Sequence, residues 1–205
     1  MPHNHIRFLR LPRNISLQHL YFRAYLQVDV DLQEAIKHSE FLLYTTKRAN
    51  VDQIVTSLDL LAKVNNKNCD YKYEAKCLTS LIQLNHCYLP DLWVRLGKCY
   101  NYLVSDLNES SWTSSTEDFP IFTKKPHCVV VCCLLRAIVL LRTVEATVSS
   151  YALSSNKSIQ NHLSDEVDSL CMANQILEDE RDLIKCEISK DIYSRYSNPE
   201  LTKGN

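Results

Sequence analysis

The stretch Trp93-Val94-Arg95-Leu96-Gly97-Lys98-Cys99-Tyr100 decides how the rest of the chain is read. Trp93, Leu96 and Tyr100 stand at i, i+3 and i+7, so on a helix they share one face. Gly97 lies beside them. A glycine inside a helix costs about 1 kcal/mol relative to alanine, so its presence asks for a packing reason. With no side chain, it lets a second helix come close at that point. The chain of 205 residues has only two glycines, Gly97 and Gly204, and the interior one stands here. The polar residues of the same helix are Arg95, Lys98 and Asn101, suited to gripping an acidic segment or the C-terminal carboxylate of a partner peptide.

The scarcity of glycine excludes whole classes of function. A phosphate-cradling loop needs several glycines so that the backbone can approach the ligand, and tight hairpins use glycine for positive φ. Residues are 45% hydrophobic and 23% charged, with a formal net charge of −1. Such a chain can bury a sizeable core. It lacks the clustered positive charge of a general nucleic-acid surface, so no nucleic-acid partner is expected, and its composition is not that of an acidic disordered segment. The opening residues Met1-Pro2-His3-Asn4-His5 do not read as a signal peptide, so a cytoplasmic or nuclear location is expected. The nine cysteines then remain reduced and act as small buried hydrophobes. The Asn-x-Ser triplets at Asn14, Asn108 and Asn156 have no meaning in that setting.

Hydrophobic spacing predicts an all-α fold. Residues 1–14 read as a loose basic arm with Arg7, Arg10 and Arg13. Helices follow at about 16–28 and 32–45, the second capped from Asp29-Val30-Asp31. A third is expected from about residue 51, with the stripe Ile54, Leu58, Leu61 and Val64. It ends at the polar break Asn65-Asn66-Lys67-Asn68. The next, about 70–84, carries Tyr73, Cys77, Leu81 and Leu84, and Pro90 starts a fifth that reaches about Val104. Residues 105–126 change character and read as a polar insert, with Trp112, Phe119 and Phe122 available to pack back or to dock. An apolar helix is expected from Cys128 to about Leu153, with Leu134, Ile138, Leu141, Val144, Val148 and Tyr151 deepest, until Ser154-Ser155-Asn156 breaks it. A last helix, 158–193, carries Leu163, Val167, Leu170, Leu177, Ile184 and Ile188 in a near-heptad. Asn174 and Arg181 interrupt its seam, so packing as the closing helix is favoured over a homo-oligomeric coiled coil. Residues 194–205 read as a disordered tail.

Spelled as W-x-x-L-G-x-x-Y, Trp93 to Tyr100 resembles the first-helix signature of a tetratricopeptide repeat. Ala75 stands eighteen residues earlier, where the second helix of a preceding repeat would place a small residue, and Ala35 stands forty residues before that. Antiparallel hairpins emerge at 16–45, 51–85 and 91–153, the last stretched by the insert. Residues 15–104 thus form a short tetratricopeptide-like array, and two long helices within 127–193 pack on it and close it. The pattern departs from a regular array in two ways. Cys87 occupies the expected proline position, with Pro90 three residues later, and the second helix of the third hairpin is displaced. Around Leu81–Leu103, through His86, Pro90, Trp93, Leu96 and Tyr100, the chain also resembles an animal family represented in humans by the product of chromosome 8 open reading frame 76. The likeness continues into the helix over 134–153. It implies a tetratricopeptide-like helical protein and carries over no activity, cofactor or catalytic residue.

The search for chemistry leaves little. His127, Cys128, Cys132 and Cys133 form the densest group of metal-ligating types, with Cys128 and Cys132 one turn apart. Further ligands would have to come from His86-Cys87, Cys77 or Cys99, at spacings unlike a zinc module. No cofactor and no metal site are therefore expected. A membrane span over 128–141 would carry Arg136 inside it and Arg142 and Glu145 directly after it, at a cost of roughly 2.5 kcal/mol or more for the arginine, so no span is expected. The expected function is that of a non-catalytic adaptor or complex subunit holding a protein partner in a helical groove. A small Cys/His metal protein or enzyme, and a membrane-associated protein using 128–141, are the alternatives.

Overall fold

The computed structural model describes residues 51–86, 88–106, 126–145 and 149–196, together with Ile36, Lys37 and Glu40. The basic arm, the helix expected at 16–28, residues 107–125 of the insert, Val148 and the tail beyond 196 lie outside the described residues. So does most of the helix expected at 32–45, of which Ile36, Lys37 and Glu40 are helical. Among the described residues there are six α-helices and no strand. They are α1 (Val51–Lys67), α2 (Tyr71–Leu81), α3 (Pro90–Asp106), α4 (Pro126–Thr143), α5 (Ser150–Ala173) and α6 (Glu178–Tyr196). A π turn, Ile82–His86, continues α2. Two compact units result, Met1–Leu84 and Asn85–Asn205. The division joins α3 to the C-terminal helices, whereas the sequence pattern groups it with the helices before it.

In the first unit α1 and α2 pack against each other. Leu58, Leu61 and Val64 of the expected stripe are buried, and Leu78 and Leu81 face them from α2. The helix ends inside the expected polar break, at Lys67, where Asn65 and Asn66 use their amides to hold its end. Asn65 Nδ2 donates to the Leu61 carbonyl at 2.8 Å, and Asn66 Nδ2 donates to Glu74 Oε2 at 2.8 Å. Cys69 turns the chain at φ 57. The Asp70 carboxylate then caps α2 by accepting from the Tyr73 amide at 3.0 Å. This shifts the buried stripe of α2: Tyr73 is exposed, and Glu74 takes the inward place beside Ala75.

The second unit is organised around α4, on which α3, α5 and α6 each pack. Ten of the eighteen residues of α4 are buried, Val131, Leu134 and Ala137 completely. This helix is apolar nearly all round because it has neighbours on several sides. Where the sequence pattern gives two long helices, the structure has three. The first ends at Thr143 rather than near Leu153. The run Ser154-Ser155-Asn156 is continuous helix, and the break falls between Thr143 and Ser150. The physical reason is Asn156: its Nδ2 reaches across to the Leu141 carbonyl at 2.9 Å and satisfies the open C-terminal end of α4. Gln160, equally buried, donates to Glu145 Oε1 at 2.6 Å beside it.

The expected helix 158–193 is also divided. Residues 174–177 turn the chain, and α5 and α6 each lean on α4. Asn174 is the C-cap of α5, with its Nδ2 donating to the Leu170 carbonyl at 2.8 Å. Arg181 is turned onto Asp168 at 2.5 Å. The two polar residues that interrupt the heptad both bond within the bent form. Leu177, placed on the stripe by spacing, is 64% exposed. Residues 194–196, assigned to the tail, belong to α6.

A candidate interaction face on α3

Pro90 begins α3, where its missing N–H costs no hydrogen bond. Leu92, Trp93, Leu96 and Cys99 are buried, while Tyr100 is half-buried at the margin of that face. At Gly97 the backbones of α3 and α4 come close. A β carbon there would lie 3.2 Å from Leu134 Cδ2 and 3.3 Å from Cys133 Cβ. Trp93 has a second function in the packing, since the Arg136 guanidinium lies over its ring at 4.5 Å from the centroid. Arg136 is also ion-paired with Asp191 of α6. One arginine on α4 therefore ties α3 and α6 together.

The opposite side of α3 faces solvent. Asp91 and Lys98 are exposed, Arg95 is half-buried, and Tyr102 and Ser105 continue the same row at i+4 and i+3 spacing. Asn101 is half-buried at the edge of this row rather than within it. Tyr102, 50% exposed, is the residue that sequence reasoning passes over. It stands seven residues after Arg95, so its place on the face was readable. Only its aromatic character, which usually signals core, hid it. Ala75, the small residue linked to the same motif, is buried in the first unit.

The cysteine–histidine group does not converge into a site. His127 and Cys132 are half-buried, and Cys128 and Cys133 are buried. Among the described residues no group of three or more His, Cys, Asp or Glu is placed to hold a metal ion. Burial pushes the Cys132 thiol up to about 11, against a smaller opposing pull from Arg136, and pushes Cys133 well above the usual thiol range. Both shifts favour the neutral thiol, whereas metal binding and nucleophilic attack require the thiolate. Cys87 lies outside the described residues, and no disulfide joins any two of the eight described cysteines.

Among the described residues α4 is the one helix long and apolar enough to cross a membrane. No family model, no curated protein and no solved structure matches the chain.

Proposed function

We propose that this chain is a non-catalytic adaptor, or a subunit of a larger complex, that holds a protein partner. In this reading the helices form short tetratricopeptide-like hairpins and α3 lines the binding groove. The observation that supports it is the two-sided character of α3. One side is anchored on α4 through Gly97, Leu96 and Trp93. The other presents Arg95 and Lys98 with the half-exposed Tyr102 in one row. Cationic side chains beside an exposed aromatic ring are suited to an acidic peptide segment or a terminal carboxylate. A cytoplasmic or nuclear setting goes with this reading, as does α4 as a core helix rather than a membrane span.

Charge reversal tests the face. The double substitution Arg95→Glu and Lys98→Glu lies on the outer side of α3 and is expected to leave helicity unchanged in circular dichroism. It should abolish recovery of stoichiometric partners when the tagged chain is purified from its native cells. Full recovery with intact helicity sinks the reading. Stoichiometric zinc in the purified protein would favour a Cys/His metal protein instead. Extraction only with detergent would favour a membrane role for α4.

A further inference from the structure

The elbow between α5 and α6 is capped on both sides, by Asn174 on the Leu170 carbonyl at 2.8 Å and by Glu180, which accepts from the Leu177 amide at 2.9 Å, yet it carries strain at its centre. Gln175 sits at φ 51, in the left-handed region where a residue with a β carbon is disfavoured. Neither glycine nor proline occurs between Ser150 and Tyr196, so no residue forbids one continuous helix there. The bend has two further costs. Leu177 is left 64% exposed, and the Arg181 Nε is buried with no hydrogen-bond partner. On a straight helix, Leu177 would fall in one row with Leu163 and Val167 of α5 and Ile184 and Ile188 of α6, all four of which are buried. The Asp168–Arg181 pair belongs to the bent form alone. Thirteen residues of straight helix would separate the two by about 20 Å.

The helices on either side of the elbow are not held to each other by extensive packing. Each rests on α4, and α6 is seated there by its isoleucines and by the Asp191–Arg136 pair. We propose that α6 is a domain-swapping arm: the elbow straightens, α6 leaves its own α4, and it occupies the same seat on a second copy of this chain. The partner surface need not be invented, because each copy already contains both halves of the contact. Short connectors under strain favour this exchange. The exchange is independent of what α3 binds.

Size-exclusion chromatography with light scattering on the full chain, over a wide concentration range, tests the proposal. The wild type is expected to form a dimer whose fraction rises with concentration. Gln175→Gly relieves the bent form and disfavours the straight helix. Each of two hinges then contributes a factor of roughly five, so dimerisation should weaken roughly 25-fold. Gln175→Ala keeps the strain and improves the helix, and should strengthen dimerisation roughly threefold. A wild type that is monomeric at every concentration overturns the proposal, as does a dimer indifferent to Gln175→Gly. A second experiment separates exchange from simple side-by-side contact. Chains carrying Arg136→Glu and chains carrying Asp191→Arg each repel their own α6, but an exchanged pair of the two restores opposite charges at both seats. Heterodimers should form on mixing folded samples of the two. Folded samples that stay apart overturn the exchange, and if either chain fails to fold, the Gln175 series decides alone.

Discussion

Two corners of the molecule are built alike and behave differently. Both end a helix with a residue in the left-handed conformation, Cys69 at φ 57 and Gln175 at φ 51, in a chain that places glycine at neither. Both close the helix with the same pair of backbone bonds. Asp70 N–H donates to the Asn65 carbonyl at 2.9 Å, and Ile176 N–H donates to the Cys171 carbonyl at 3.0 Å. The shorter-range partners are Cys69 to Asn66 at 3.0 Å and Gln175 to Met172 at 3.5 Å. These are Schellman closures. The difference lies in what surrounds them. The first corner is followed by helices that pack on each other and is pinned by Asn66 and the buried Glu74. The second is followed by helices that scarcely touch each other, with an exposed leucine at the turn. Equal local geometry gives a fixed corner in one place and a hinge in the other, because tertiary contacts supply the fixity.

Removing the pin should have the largest effect. Glu74→Ala deletes a buried side chain that accepts from Asn66 across the first corner, and should destabilise that unit by about 2–3 kcal/mol in urea denaturation. A loss below about 0.5 kcal/mol would show that the corner holds without it. Arg136→Ala acts on the second unit by removing the tie from α4 to Trp93 and Asp191. About 2 kcal/mol is expected, with amide exchange accelerated along α6 while α1 and α2 keep their protection. Acceleration in both units would mean that the two are not separately stable.

Alkaline pH should load the second unit in a defined direction. The folded protein holds the Cys132 thiol protonated up to about 11, whereas the ordinary value is 9.0. Below pH 9 the thiol is neutral in both states and the packing is unaffected. Between about 9 and about 11 the unfolded chain has lost the proton and the folded chain keeps it, so stability falls as pH rises. Cys132→Ala should flatten that limb of a Tm-against-pH curve. An unchanged limb would assign the loss to other groups.

The helical class was legible throughout the described residues, because apolar spacing at 3.6 residues needs no tertiary knowledge. The first corner was legible too: Asn65-Asn66-Lys67-Asn68 and Asp70 are residues whose short polar side chains compete for the backbone. The second was not. Asn174-Gln175-Ile176-Leu177 is an ordinary helical tetrad by propensity, and Asn174 and Arg181 read as flaws in a seam rather than as a cap and a strut. The reverse holds at Ser154-Ser155-Asn156, which reads as a break and is helix. Asn156 is spent on the Leu141 carbonyl, fifteen residues back, a partner that only the fold brings near. On α3, the spacing of Trp93, Leu96 and Gly97 located the anchored side. The reach of the outer face as far as Tyr102 needed the burial pattern.

The finest test places glycine at both corners. Cys69→Gly and Gln175→Gly each relieve a left-handed residue, and each should raise the stability of the monomer by about 0.5–1 kcal/mol, after the added backbone entropy of the unfolded chain is set against the relief. In Tm the two variants should therefore look alike. They should part in oligomeric state. Straightening the first corner would separate α1 from α2 and release the Asn66–Glu74 bond, so the bent form there has no close competitor, and Cys69→Gly should leave the light-scattering mass unchanged. Straightening the second restores a row of apolar residues at the expense of the Asp168–Arg181 pair and the Leu177–Glu180 bond, so relief of Gln175 shifts the balance between two forms. Equal effects of both substitutions on association would show that left-handed strain alone makes a hinge. An effect confined to position 175 would show that the packing after the turn decides.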